Sequence, residues 1–235
     1  MGAAALRNRR RLRARKPLLS WRFEGALAYA ARLHAAQRRK GTAIPYVSHL
    51  LAVTAIVLEN GGDEDEAIAA LLHDAVEDQG GKSRLVEIRN WFGPRVARIV
   101  EACTDADTLP KPPWRRRKEI YIKHLREAPR DVLLVSAADK LHNARAILAD
   151  VRRDGNRVWE RFNGGKEGTL WYYRTLFEVF RELGPRPMAV ELGRVVEQLG
   201  RLAEKRRAPR RAAADRPPRR RRRAISERRG AIRQT

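Results

Sequence analysis

Apolar residues recur every three or four positions along most of the chain, and this spacing constrains the fold more than any other feature. From Phe23 the pattern continues through Ala26 and Ala30 to Leu33, which predicts an amphipathic helix over about residues 22–37. No segment shows the strict alternation of a half-buried strand, and no internal repeat is present. We therefore predict an all-α protein.

Capping residues and helix breakers divide the rest of the chain into further helices. Gly61 provides a left-handed helix end, and Asp63 with Glu66 has the spacing of a capping box. The third helix starts there and is expected to carry His73 and Asp74 near its end. Further helices are predicted around 48–58, from Pro94, and at 114–127, 130–148, 169–182 and 188–204, with loops at 79–83, 104–113 and 155–168.

The basic residues of this 235-residue chain are concentrated at its two ends. Residues 1–17 carry seven basic residues and no acidic one, and residues 205–235 carry 14 basic and two acidic residues. The net charge of the whole chain is +23. We predict disordered tails there and one domain over 18–204, because such segments bury too little apolar surface to fold. The tails are either plain solvated ends or binding segments for nucleic acid or an anionic surface.

Cysteine content and hydropathy exclude several classes of protein. Cys103 is the only cysteine, so neither an internal disulfide nor a thiolate zinc cluster can form, and its apolar surroundings predict a core position. The longest purely apolar run covers only residues 67–72. We therefore predict no transmembrane helix and expect the cytoplasm as location.

Four ionisable residues are candidate metal ligands because they interrupt the apolar faces of three separate helices. They are His49, His73, Asp74 and Asp139. Each alone is more often a core or surface residue, but ionisable groups on apolar faces need partners, and one metal ion serves all four. Two imidazoles and two carboxylates without a thiolate suit Mn²⁺, Fe²⁺ or Zn²⁺ better than Ca²⁺.

Two further acids follow this pair at helical spacing. Glu77 and Asp78 each lie four residues after a proposed ligand, so both are expected to point toward the metal. An acid beside a metal suits the role of general base in hydrolysis. The alternative is a solvated acidic helix end.

Four strings together resemble a known family, in their order and approximate spacing. They are Gln37-Arg38-Arg39-Lys40, Pro45-Tyr46-Val47-Ser48-His49, His73-Asp74-Ala75-Val76-Glu77-Asp78 and Asp139-Lys140-Leu141-His142-Asn143-Ala144-Arg145. They resemble the hydrolase domain of the bacterial stringent-response enzymes and of their small single-domain relatives, which are members of the HD superfamily. The resemblance covers about residues 22–148.

The resemblance implies an all-helical HD domain that binds one Mn²⁺ and removes the 3′-diphosphate from the nucleotide (p)ppGpp. The products would be GDP or GTP and pyrophosphate. It assigns His49, His73, Asp74 and Asp139 as metal ligands, and Glu77 with Asp78 as the acids that activate water. Arg39 matches an arginine that stacks on guanine. Other matching substrate contacts are Lys40, Tyr46, Asn143 and Arg145, although packing is an equally good interpretation of Tyr46.

Three segments depart from the family pattern. The loop 79–83 lacks the expected threonines, and the basic stretch 110–118 and the aromatic stretch 159–173 are unusual. Residues 115–118, with Lys123, are either a phosphate clamp or an exposed basic helix start. His34, His124 and His142 match no ligand position and are assigned to structure or surface.

Two alternatives remain open. Within the same class, an HD phosphohydrolase would act on another nucleotide such as NADPH. In a different class, a non-catalytic helical domain would serve a nucleic-acid-binding protein that acts through its arginine-rich tails.

Overall fold

A computed structural model describes residues 18–105 and 112–204, and most of these residues are helical. Within these ranges there is no strand, only one isolated bridge between Arg38 and Pro45. The all-α prediction is confirmed. The predicted tails and part of the loop 104–113 lie outside the described residues. The helices are α1 (Trp21–Leu33), α2 (Val47–Glu59), α3 (Glu64–Leu72), α4 (Ala75–Gln79), α5 (Gly81–Phe92), α6 (Pro94–Cys103), α7 (Trp114–Arg126), α8 (Arg130–Asp154), the 3₁₀ helix Gly155–Arg161, α9 (Gly165–Leu183) and α10 (Arg186–Glu204).

Helix α8 is the central element of the fold. It packs against the earlier helices α2, α3 and α6, and against the 3₁₀ helix, α9 and α10 that follow it in the chain. Its residues 132–139 are all buried, and this stretch is apolar on every side except at Ser136 and Asp139. A helix surrounded in this way holds a polar side chain only if that side chain has partners.

Several predicted helix ends are confirmed. The Asp63 carboxylate accepts a hydrogen bond from the backbone N–H of Glu66 (3.0 Å), and the Glu66 carboxylate accepts one from the N–H of Asp63 (2.8 Å), which completes the capping box before α3. Gly61 has a φ of 81° after α2. Pro94 occupies the first turn of α6.

Helix α1 is shorter than predicted, because the residues after it pair with another segment. The backbone N–H of Tyr46 donates to Gln37 O (2.9 Å), and that of Arg39 donates to Ile44 O (2.9 Å). These extended bonds are incompatible with continuing the helix to residue 37, so α1 ends at Leu33. They also fix the start of α2 close to the end of α1.

The prediction that one helix carries the His73-Asp74 pair was wrong. His73 is the C-cap of α3 and Asp74 is the N-cap of the short helix α4. The loop predicted at 79–83 is only a turn at Gly80, where φ is 135°, and α5 begins directly after it. Sequence patterning missed α5 because only Ile88 and Phe92 of this helix are buried.

The C-terminal helices are also longer than predicted. Helix α8 continues to Asp154, and the expected loop 155–168 contains a 3₁₀ helix and the first turn of α9. Glycines occur in this region because Trp114 of α7 packs against it. A Cβ at Gly164 would lie 2.6 Å from the Trp114 ring, and one at Gly168 would lie 3.1 Å from it.

Candidate metal centre and adjoining cleft

The four predicted metal ligands converge on one point inside the protein. His49 comes from α2, His73 and Asp74 from the junction of α3 and α4, and Asp139 from the middle of α8. The Nε2 atom of His49 lies 3.5 Å from Asp74 Oδ2 and 3.2 Å from Asp139 Oδ1. The Nε2 atom of His73 lies 3.0 Å and 3.6 Å from the same two oxygens.

These residues fit a divalent metal ion. Both Nε2 atoms are buried, and among the described residues neither has a hydrogen-bond partner, although carboxylate oxygens lie nearby. The Nδ1 atom of His73 lies 2.8 Å from the carbonyl oxygen of Ala70 and donates to it, so that the lone pair of Nε2 faces the carboxylates. Two donors about 2.1 Å from one ion and at right angles are about 3.0 Å apart, which is close to the observed separations.

His142, assigned to structure or surface from the sequence, contacts a proposed ligand. Its Nδ1 atom lies 2.7 Å from Nδ1 of His49. Burial lowers the pKa of His142 to about 4, helped by the charges of His49 and Arg39, so this imidazole is neutral and accepts the proton of His49. His142 therefore orients His49 with its Nε2 lone pair toward the centre.

Hydrogen bonds also hold the two carboxylates in place. Tyr46 donates its hydroxyl to Asp74 Oδ2 (2.5 Å). Asp139 accepts from Asn143 Nδ2 at Oδ1 and from Lys140 Nζ at Oδ2, each at 2.5 Å. Burial by itself raises the pKa of Asp139, but the positive charge of Lys140 is the largest opposing effect, and this pKa is held well below its usual range. Both carboxylates are thus fixed in the charged form that a metal requires.

The predicted acid pair lies beside this centre. Asp78 Oδ2 accepts a hydrogen bond from Gln37 Nε2 (2.7 Å), and Gln37 Oε1 accepts from Gln79 Nε2 (2.7 Å). Burial and the negative charges of Asp74 and Glu77 raise the pKa of Asp78. Glu77 accepts a 3.4 Å hydrogen bond from the backbone N–H of Asp105.

A cleft of about 610 Å³ opens next to the four ligands. Its volume is in the range of small-molecule sites. It is lined by His142 and by residues that the sequence predicted for the site, namely Arg39, Lys40, Tyr46, Asp74, Glu77 and Asn143. Further lining residues come from α7, α8 and α9, and include Trp114, Arg117, Lys118, Lys140 and Tyr172.

The predicted substrate contacts differ in how they relate to this cleft. The guanidinium of Arg39 donates to Asn143 Oδ1 (2.7 Å) and lies 5.7 Å from the centroid of the Tyr46 ring. Lys40 lines the cleft with an exposed side chain. The structure does not bring Arg145 to the cleft, because this exposed side chain pairs with Glu191 of α10 (Nε to Oε1 2.9 Å).

Several residues around the site were not predicted as part of it. Gln37 was noted only as a member of a motif, and Asp105, Lys140 and Tyr172 were given no role. The spacing of His142, three residues after Asp139, was the available signal, since this places both on one helical face. Cys103, expected in the core, has a thiol 3.6 Å from the Ser136 hydroxyl and packs against the core, where burial raises its pKa.

Comparison with known families identifies the domain to which this fold belongs. Residues 26–170 match the HD domain family, and this range contains all four converging residues. The chain belongs to the HD domain family. The resemblance found in the motifs is confirmed, and this HD domain has the His-Asp pair of its family at the α3–α4 junction.

Relatives of known function and solved structures show which HD proteins this domain is similar to. It is 42% identical over 137 residues to guanosine-3′,5′-bis(diphosphate) 3′-pyrophosphohydrolase MESH1 of Xenopus tropicalis, covering 57% of this chain and 72% of that one. The MESH1 protein of Drosophila melanogaster is 36% identical over 152 residues (60% and 82%). A solved structure described as a metazoan ortholog of SpoT that hydrolyzes ppGpp is 28% identical, with a TM-score of 0.63 over 80% of this chain and 99% of that chain.

Proposed function

We propose that the protein is a metal-dependent hydrolase that removes the 3′-diphosphate from (p)ppGpp. The observation that carries this is the pair of buried imidazole Nε2 atoms, which face two carboxylate oxygens at 3.0–3.6 Å beside a cleft of nucleotide size. The names of two MESH1 relatives, which are 42% and 40% identical to this chain over 137 and 127 aligned residues, support the choice of substrate.

Four residues would hold the metal ion, for which we propose Mn²⁺, with Fe²⁺ or Zn²⁺ as other ions that the ligand set suits. They are His49, His73, Asp74 and Asp139. When bound, the ion supplies Lewis-acid polarisation of a phosphate oxygen. Holding Asp74 and Asp139 charged is the task of Tyr46, Asn143 and Lys140, which donate hydrogen bonds to them.

Glu77 and Asp78 act on the proton of the attacking water. Glu77 accepts this proton, while Asp78, held by Gln37, keeps a second negative oxygen beside it. Water adds to the phosphorus next to the ribose, the bond from this phosphorus to the 3′ oxygen breaks, and that oxygen takes a proton from solvent. The products are pyrophosphate and GDP or GTP.

Substrate recognition is assigned to the wall formed by Arg39 and Tyr46. The planar guanidinium of Arg39 is already ordered by Asn143, and a stacked guanine would meet it without further loss of side-chain freedom. Lys40 adds a positive charge at the cleft mouth. The basic ends lie outside the described residues, so nucleic-acid binding by them stays a separate prediction. The expected location in the cytoplasm also stays a prediction.

The test is hydrolysis by the purified full-length chain loaded with Mn²⁺. Incubation with (p)ppGpp is expected to release pyrophosphate and GDP or GTP, separated by anion-exchange chromatography. The variant E77Q is expected to lose at least a hundredfold in kcat, whereas E101Q, which removes an exposed acid of α6, is expected to match the parent.

Two outcomes would contradict the proposal. Metal-loaded protein that releases no pyrophosphate from (p)ppGpp would refute the substrate. If that protein releases phosphate from NADPH in a parallel incubation, a different nucleotide is the substrate. Protein purified without metal, and unchanged in activity by D74A, would refute the metal centre itself.

A further inference from the structure

Two cations of α7 share one carboxylate at the edge of the cleft. The ammonium of Lys118 lies 2.8 Å from Asp105 Oδ2, and the guanidinium of Arg117 donates to the same oxygen. The side chains are 17%, 12% and 8% exposed for Lys118, Arg117 and Asp105. Asp105 offsets only one of the two positive charges, and an uncompensated charge at this depth is costly.

A third cation lies on the same side of the cleft. Lys140, which also lines the cleft, is paired with Asp139, and its own charge has the same sign as that of the α7 pair. Burial lowers the pKa of Lys118, and Lys140 lowers it further against the opposing effects of Asp105 and Glu77. Three cations thus lie together against the carboxylates of Asp105 and Asp139, with Glu77 nearby.

A buried hydroxyl completes the group. Tyr172 of α9 is 5% exposed, its ring lies 5.0 Å from the Lys118 ammonium, and its hydroxyl has no hydrogen-bond partner among the described residues. The same side chain lines the cleft. An unpartnered donor beside two cations is the combination that an anionic oxygen satisfies.

The cluster is connected to the acid pair through the backbone. The N–H of Asp105 donates to Glu77, while the Asp105 side chain holds Arg117 and Lys118. Asp105 therefore contacts both the two cations and Glu77, the group proposed to accept the proton from water. A phosphate bound there would belong to the substrate or product of the reaction at the metal centre.

We propose that Arg117, Lys118 and Tyr172 form a diphosphate-binding subsite that Asp105 keeps assembled in the absence of ligand. This inference rests on the proposed function for the identity of the ligand, although not for the existence of the subsite. A diphosphate could come from either of two sources, the 3′ group that is released or the 5′ group that stays on the nucleoside. The shared chemistry is a phosphoanhydride with several negative charges.

The test measures binding by isothermal titration calorimetry to metal-free full-length protein at fixed ionic strength. The probes are inorganic pyrophosphate, for the released group, and GDP, for the 5′ group. R117Q and K118Q are each expected to weaken at least one probe tenfold or more. Lys123, considered for the clamp from the sequence, is exposed and does not line the cleft, so K123Q is expected to change neither. R117K keeps the charge and is expected to bind more tightly than R117Q.

The two probes separate the sources. Weaker binding of pyrophosphate with GDP unchanged assigns the subsite to the released group, and the reverse assigns it to the 5′ diphosphate. If both probes bind R117Q and K118Q as tightly as they bind K123Q, the subsite is refuted. Binding that depends on these residues in a protein without (p)ppGpp hydrolysis would overturn the proposed function and leave the subsite standing.

Discussion

Replacing His142 with alanine removes the acceptor for the Nδ1 proton of His49. The two Nδ1 atoms are 2.7 Å apart, and His49 is completely buried, so water cannot replace the lost partner without rearrangement. A buried donor left without an acceptor costs about 1–3 kcal/mol. The alternative for His49 is to move its proton to Nε2, which removes the lone pair that faces Asp74 and Asp139.

Either response weakens metal binding. Because each 1.4 kcal/mol of binding free energy changes an equilibrium constant about tenfold, H142A is expected to lower the metal affinity by roughly ten- to a hundredfold. The measurement is competition for Mn²⁺ or Zn²⁺ against a fluorescent chelator at pH 7.5. H124A is the matched control, since His124 is an exposed histidine of α7 outside the cleft lining.

An unchanged metal affinity in H142A would refute the role of His142 in fixing the tautomer of His49. A variant that keeps a short side-chain acceptor, H142N, is expected to recover part of the affinity. Equal losses in H142A and H142N, with melting temperatures as in the parent, would also contradict the proposed hydrogen bond, because a bond that any acceptor can replace should be rescued.

Two further predictions concern stability. Burial alone would raise the pKa of Asp131, but the hydrogen bonds that it accepts from Arg98 and the neighbouring charges lower it. Its contribution to the free energy of unfolding is therefore present above about pH 4. This contribution is lost as the pH falls through the folded-state pKa. D131N is expected to lower the free energy of unfolding by about 1 kcal/mol at pH 7, because Arg98 is half exposed, and to change it almost not at all at pH 2. The measurement is urea unfolding, and an equal loss of stability at both pH values would contradict the prediction. G164A places a Cβ 2.6 Å from the ring of Trp114 and is expected to cost about 1–3 kcal/mol by urea unfolding, whereas G25A, with nothing within 4 Å of the new atom, should be neutral or stabilising.

Residue type and spacing predicted that His49, His73, Asp74 and Asp139 would converge, because ionisable groups on apolar helix faces are stable only when they meet partners inside the fold. The same reasoning gave His142 no role, since histidine is common at surfaces and its contact with His49 depends on how α2 packs on α8. The break between α3 and α4 was also missed. No glycine or proline marks it, and it is visible only in the backbone at His73 and Asp74.

The part of the cleft lining that α9 supplies was beyond prediction for a different reason, although the basic start of α7 was considered as a phosphate clamp. The first turns of α7 and α9 pack together, and the glycines at 164 and 168, which favoured a loop in the sequence, admit the ring of Trp114. Their effect depends on a residue about fifty positions earlier in the chain. Local propensity carries no information about such a contact.

The convergence of the proposed ligands from α2, the α3–α4 junction and α8 would make a bound ion a cross-link between segments that are up to 90 positions apart in the chain. An unfolded chain offers no such arrangement, so the ion binds the folded form selectively and stabilises it in proportion to the logarithm of its free concentration. The melting temperature of this HD domain is then a readout of metal occupancy, obtained without any substrate. In a cell, the lifetime of the protein would follow the supply of the metal as well as its own sequence.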